Sequence, residues 1–257
     1  MLRTRIYGWL ISGVLLLGII AGVLLWWRNQ WAAPRWREAE AGLEICRLSG
    51  TQNWQPVRVT VVRVDPARWT FRVVDAHGGV PQQGAGAAAV CPAHGAAINA
   101  SYFAEDLTPL GLLVIDGRQT QRHFPVHVWG TFQIRRGRPE LVLSTDEVAA
   151  GVTQALECKP RLLVHGQAQH FVTQPPARRS AVGIDAQGRV LLAVTADGRL
   201  TLEQWAACLR APLGCMDALN LDGGPSTQLA LRGRLDDTVS GGWPVPVFLT
   251  CSPVRPR

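Results

Sequence analysis

Lysine is almost missing from this chain: Lys159 is the only one among 26 basic residues. The remaining basic residues are arginines scattered along the sequence, doubled only at 135–136 and 178–179. The formal net charge of +7 is therefore not gathered into a basic stripe interleaved with aromatics, and nucleic-acid binding is set aside. No Cys-x-x-Cys occurs among the six cysteines, which excludes the common zinc spacings. His123 and His127 are four apart, but Pro125 between them denies a shared helical face. His77, His94, His165 and His170 have no ligand partner at a recognisable spacing, so no metal site is expected. Neither a Gly-x-Ser-x-Gly elbow nor a phosphate-binding P-loop is present. Internal repeats and low-complexity tracts that would mark a second domain are also lacking. Nothing in the sequence demands a cofactor, although the acidic loop at Asp222 is where a divalent cation would sit if one is used.

Charge is also absent from residues 9–27, WLISGVLLLGIIAGVLLWW, which Arg3 and Arg5 precede and Arg28 follows. At ~1.5 Å per residue this run just crosses a ~30 Å hydrocarbon core, with Trp9, Trp26 and Trp27 at interfacial depth. A cleaved signal peptide is the alternative, with Ala32 and Ala33 as a cutting point, but its apolar region is usually shorter, about 7–15 residues. The division expected is an anchor over 1–30, a polar juxtamembrane stalk over 31–45 that turns helical towards its end, and one domain over 46–257. The short tail before the anchor predicts that the domain faces outward.

An even set of six cysteines suits disulfides in an oxidising compartment, and 15 pairings are open to it. Cys208 and Cys215, flanking the short LRAPLG segment, are the favoured pair; buried free thiols are the alternative.

The domain reads as sheet. VRVTVVRV (57–64) and WTFRVVDA (69–76), joined by the turn residues DPAR, predict a hairpin. HGGVPQQGAGAAA (77–89) is Gly/Ala-rich and reads as a mobile loop. Short apolar segments follow at 111–116, 130–136, 160–166, 181–185 and 190–195, several bounded by Asp-Gly turns. This spacing predicts an α+β, antiparallel-sheet-dominated single domain with a few helices. The clearest helix is 202–209: Thr201 and Gln204 form a capping-box pair, and Leu202, Trp205, Ala206 and Leu209 share one face. After it, ALNL (218–221) reads as a buried strand, DGGPST (222–227) as the loop at its end, and QLALRG (228–233) as the next strand.

Five blocks in order resemble the phosphodiester glycosidase family, whose type domain is that of N-acetylglucosamine-1-phosphodiester α-N-acetylglucosaminidase, and within it a bacterial envelope branch. They are INASYF (98–103), PLGLLVIDG (109–117), ALECKPRLLVHG (155–166), RSAVGIDAQGRVLLAVT (179–195) and LGCMDALNLDGGPST (213–227). The resemblance implies an α+β fold and a hydrolase that cleaves a sugar-1-phosphodiester at the anomeric centre. Its substrate would be a cell-surface glycan or glycolipid, reached from the periplasmic side of a bacterial inner membrane through the anchor at 9–27. HVWGTFQIRRGRP (127–139) keeps only the spacing of the corresponding family block, and Pro225 replaces a commonly small residue. These departures favour the alternative of a non-catalytic module that binds sugar phosphates or anionic glycans.

Cleavage at the anomeric carbon releases an anionic phosphate ester that leaves with little help from a general acid, unlike an ordinary glycoside. The protein has then to hold a phosphate and stabilise an oxocarbenium-like centre. Asp222 is the candidate to act on the anomeric carbon, as nucleophile or as base to a water. Gly223 and Gly224 can take positive φ and turn backbone N–H groups towards an anion, while Ser226 and Thr227 add hydroxyl donors. Arg179 would offset the repulsion between carboxylate and phosphate through its planar fork, with Arg178 a solvated neighbour. Asn99 would offer its amide to a sugar hydroxyl or a phosphate oxygen. Tyr102 and Phe103 read as core.

Overall fold

The strongest strands of this chain are near-continuous apolar runs because both faces of the sheet they build are covered. The computed structural model describes residues 29–76, 86–124, 129–144 and 147–254, together with Gly22. Strands are numbered in chain order. A nine-stranded sheet runs β1 (Asn29–Trp31), β3 (Leu43–Gln52), β4 (Gln55–Val64), β15 (Val190–Asp197), β14 (Ser180–Asp185), β16 (Cys215–Leu221), β12 (Arg161–Val164) and β13 (Gln167–Ala168). Strand β2 (Arg37–Glu40) adds to β3. One five-stranded sheet runs β10 (Arg138–Leu143), β9 (Gly130–Arg135), β11 (Val152–Cys158), β7 (Leu113–Ile115) and β8 (Arg118–Gln121). Another runs β18 (Asp237–Val239), β17 (Leu229–Arg232), β6 (Gly95–Asn99), β19 (Val247–Pro253) and β5 (Trp69–Asp75). Every pairing among the described strands is antiparallel.

The side-chain period of two divides β4 and β15 between two cores. Val62, Val64, Val190, Leu192 and Val194 enter the core shared by all three sheets. Val57, Val59, Val61, Leu191 and Ala193 point the other way, under the helix α2 (Leu202–Arg210). Each such buried side chain contributes roughly 1.5–3 kcal/mol. Helix α2 starts as expected: the Thr201 hydroxyl accepts from the Gln204 N–H and the Gln204 side chain accepts from the Thr201 N–H. Trp205, fully buried, fixes it to the sheet.

Several expectations are corrected. Strands β4 and β5 do not form a hairpin: β4 has β3 on one side and β15 on the other, so the turn after Val64 delivers β5 to a different sheet beside β19. The segment read as a stalk, expected to turn helical, instead contains β2 and the last residue of β1, whose first two residues fall in the segment read as the anchor; both strands pair with β3, where Ala39 and Trp31 find apolar cover. Of the loop at 77–89, residues 77–85 lie outside the described residues, whereas Gly86–Val90 forms the short helix α1 against β6 and β17. All six cysteines are free and buried, so the disulfide expected between Cys208 and Cys215 is not formed. Those two thiols lie with Cys46 in the apolar layer beneath α2, where burial pushes their acidity well out of the ordinary thiol range. The apolar run at 9–27 lies, apart from Gly22, outside the described residues, and among those no helix is long and apolar enough to cross a membrane.

Candidate active site

Two sheets meet at Asp222. Strand β16 ends one residue before it, and its own N–H continues the run by donating to the Ala100 carbonyl, just beyond β6, at 2.9 Å. Ala181 pairs with Asn220 and Ser180 with Leu221, so one further step sets Arg179 across from Asp222. By alternation the side chains of Asn220, Asp222 and Arg179 leave the sheet on the same side as Ala181 and Ala218, which is the side covered by α2.

Asn99 is fully buried and clamps this junction. Its Nδ2 donates to the Asp222 carbonyl at 2.7 Å, and its Oδ1 accepts from the Ser180 hydroxyl at 2.8 Å and from the Gln228 N–H at 3.0 Å. The amide expected to face a substrate thus faces the backbone of Asp222, with both lone pairs of its oxygen engaged.

The glycines of the loop serve its shape. Gly223 is extended, at φ −121°, but a Cβ there would lie 2.7 Å from the Arg178 carbonyl oxygen. Gly224 has φ +59°, the left-handed region that glycine enters without cost. The loop's N–H groups do not open onto a free anion nest. Gly223 donates to its neighbour's Asp222 Oδ1, Gly224 to the Arg178 carbonyl, Ser226 to Gly223 and Thr227 to Gly224. The Ser226 hydroxyl is bonded to the Asp222 carboxylate, whereas Thr227 Oγ1 is buried and has no partner.

Arg179 is buried and tethered: Nε donates to the Leu200 carbonyl at 2.9 Å and Nη2 to the Pro175 carbonyl at 3.3 Å. Two of its five N–H donors are so engaged, and it forms no ion pair among the described residues. Arg178 is a bracket, not a solvated neighbour: both Nη atoms reach the Ser240 carbonyl at 3.1 Å. A cleft of about 510 Å³ on the outer side of Arg178, lined by Asp197, Gly198, Arg199, Thr238 and Ser240, does not include Asp222.

Sequence reasoning missed a second set of residues around the carboxylate. Tyr102 Oη donates to the Lys159 carbonyl at 3.0 Å and accepts from Asn220 Nδ2 at 3.1 Å. Trp129 meets the Tyr102 ring edge-on at 6.1 Å and stacks on Phe124 at 4.9 Å, with Lys159 Nζ 5.1 Å from its centre. The Asn220 Oδ1 and Ser101 Oγ atoms are buried without partners. Asn220 was within sight, two positions before Asp222 on the same strand face; Tyr102, 118 positions from Asn220, stood in the INASYF block but read as core.

Burial dominates the electrostatics. It pushes the Asp222 carboxyl up to about 6, against the opposing pull of the Ser226 hydroxyl and the Gly223 N–H. Tyr102 is held protonated by burial, and its phenol senses the charges of both Asp222 and Arg179. The arrangement unites a proton-accepting carboxyl, a buried cation and unpaired hydroxyl and amide groups. Among the described residues, no cluster of three or more His, Cys, Asp or Glu side chains converges as a metal site.

Comparison with known proteins adds to this geometry. The zebrafish N-acetylglucosamine-1-phosphodiester α-N-acetylglucosaminidase catalytic domain, auto-inhibited by its pro-peptide, is 18% identical over 89% of each chain, with a TM-score of 0.64. A protein from Burkholderia pseudomallei is 15% identical, covering 79% of this chain and 75% of its own, with a TM-score of 0.58. A hypothetical protein from Synechocystis is 16% identical over 86% of this chain, with a TM-score of 0.54, and this chain spans 64% of its length. At such identities these likenesses establish the fold alone. No curated protein matches in sequence. The phosphodiester glycosidase family profile matches residues 94–250, which contain Asn99, Tyr102, Arg179, Asn220 and Asp222. The chain belongs to the phosphodiester glycosidase family.

Proposed function

We propose that this protein hydrolyses a glycosyl phosphodiester at the anomeric carbon, as an envelope enzyme tethered through residues 9–27 with its domain on the periplasmic side. One observation carries the reading: a carboxyl with its proton affinity raised by burial is held at a sheet junction across from a buried guanidinium that forms no ion pair among the described residues. A carboxylate of this kind is poised near neutral pH to act at the anomeric carbon. Arg179, with three donors left, offsets the charge of the departing phosphate. Thr227, whose hydroxyl is enclosed, would meet the sugar or phosphate only if the 222–227 loop shifts; Ser226 holds the carboxylate, and Gly223 and Gly224 shape the loop. Asn99 is a positioning residue. The zebrafish enzyme's name supplies N-acetylglucosamine as the first sugar to try.

The test is hydrolysis of 4-nitrophenyl diesters of N-acetylglucosamine-, glucose- and mannose-1-phosphate in ¹⁸O-water. Release of free sugar labelled at C1 together with 4-nitrophenyl phosphate supports the reading. Label in the phosphate, or release of 4-nitrophenol, overturns it, since phosphorus and not carbon would then be attacked. A second reading, a sugar-phosphate binding module, draws on the internally bonded N–H groups of the 222–227 loop. It requires saturable binding of these diesters by calorimetry without turnover.

A further inference from the structure

The hairpin of β3 and β4 closes on two residues, Asn53 and Trp54, with Gln52 paired to Gln55. Both turn residues have positive φ, 48° and 67°, as a tight turn between twisted strands requires. Asparagine followed by glycine suits such a turn, whereas a bulky tryptophan in the left-handed region opposes its own backbone preference. Packing does not explain it, because Trp54 is 54% exposed. Single exposed apolar residues are common, but one kept against the geometry of its turn points to a partner outside the fold.

The place of this tip in the chain identifies the partner. Strand β1 begins beside it: Asn29 pairs with Gln52, Gln30 with Thr51 and Trp31 with Gly50. The apolar run 9–27 ends two residues before Asn29. Whatever conformation those two links take, Trp27 lies within roughly 7 Å of Asn29, and paired antiparallel strands stand about 5 Å apart. Trp54, two residues past Gln52, is thus held within about 20 Å of Trp27 by covalent and sheet geometry alone. The tip is also uncharged. No ionisable residue occurs between Arg47 and Arg58, and those two are paired with Asp237 and Asp197 at 2.9 and 3.0 Å.

We propose that Trp54 is a second membrane contact: the β3–β4 tip seats its indole in the headgroup zone of the bilayer that residues 9–27 cross. This inference rests on the tether proposed above. An indole is favoured at that depth because its ring meets acyl carbon while its N–H meets water or a headgroup oxygen. A single crossing leaves a domain free to swing, and a second point of contact fixes its attitude. Leu221 pairs with Ser180, Ser180 with Val194 and Val194 with Thr60, so the Asp222 end of β16 and the hairpin tip lie at one end of the sheet. Docking holds that end, and not the far end of β4, towards the lipid surface.

The test uses the full chain in vesicles of phosphatidylethanolamine and phosphatidylglycerol, with a lipid spin-labelled near its headgroup as the quencher. An environment-sensitive dye is placed on Gln55→Cys, beside the tip, or on Ala67→Cys, exposed past the far end of β4 and roughly 30 Å away. The six native thiols are buried and do not compete for the dye. About twofold quenching is expected on Gln55→Cys and less than about a tenth on Ala67→Cys, because the headgroup zone is only roughly 5–8 Å deep. Adding Trp54→Gly, which restores the residue the turn prefers, is expected to remove at least about half of the quenching on Gln55→Cys. Equal quenching at the two positions, none at either, or none lost in Trp54→Gly overturns the docking, while a chain that still floats with the vesicles keeps the tether. A chain that alkaline carbonate strips from the vesicles removes the tether and the docking with it. Dye self-quenching that grows with the number of chains per vesicle assigns the tip to a second copy of the chain and overturns the lipid contact.

Discussion

The side-chain amide of Asn99 donates a 2.7 Å hydrogen bond to the backbone carbonyl of Asp222, 123 positions further along the chain. This bond, with those Asn99 accepts from Ser180 and Gln228, ties strands from two sheets to the start of one loop. Replacing Asn99 by Ala orphans three buried groups at once. We expect a loss of about 3 kcal/mol in urea unfolding, since each orphan costs on the order of 1 kcal/mol or more. Hydrolysis should fall at least 100-fold, because the carboxylate loses its register.

The carboxyl of Asp222 titrates at about 6, above its ordinary 3.8, because it is buried. As a base it must be ionised, so kcat/KM should rise with pH through about 6 and then level. The same shift sets a stability trend of opposite sense. The folded state binds this proton more tightly than the unfolded one, so the group adds least penalty at low pH and most above about 6. Asp222→Asn, which cannot ionise, should therefore be inactive and more stable than wild type by about 2 kcal/mol at pH 7.5. That gain should vanish below pH 4 in paired denaturation curves.

Adjacent glycines should differ in kind. Gly223→Ala presses a methyl against the Arg178 carbonyl, a backbone atom 2.7 Å away that has no rotamer to yield. Gly224→Ala meets nothing within 4 Å and carries only the left-handed backbone penalty, roughly 1–2 kcal/mol. Thermal melts should show the larger loss at Gly223, and hydrolysis should survive in part only at Gly224.

With six buried thiols and no disulfide, dithiothreitol should leave the unfolding midpoint unmoved. Thiol titration should find six reactive groups per chain after denaturation and none before. A reductant-sensitive midpoint would contradict the packing of Cys46, Cys208 and Cys215 described beneath α2.

What was legible in the sequence was local. The start of α2 could be read because Thr201 and Gln204 cap it within one turn. The strands at 190–195 and 218–221 could be read because buried runs are apolar on both faces. Strand partners were not legible: β4 and β5 look like a hairpin, yet the edge that β5 would take is filled by β15, more than a hundred residues away. The motif around Asp222 marked the carboxylate, Arg179 and Asn99, and the structure gathers all three at one end of β16. It could not show that Asn99 turns inward, since its partners are Ser180 and the Asp222 backbone. Asn220 escaped notice for the same reason: its meaning depends on a phenol from a distant loop.

The lone lysine gives this protein an unusual chemical address. Lys159 is exposed, lies over the Trp129 ring, and lends its carbonyl to Tyr102 and Asn220. Amine-directed reagents, which decorate most proteins at many points, have here one side chain to modify, that of Lys159 beside Trp129. A single environment-sensitive dye installed there would sit beside the Trp129 indole, a natural quencher, and report any ligand that displaces one from the other.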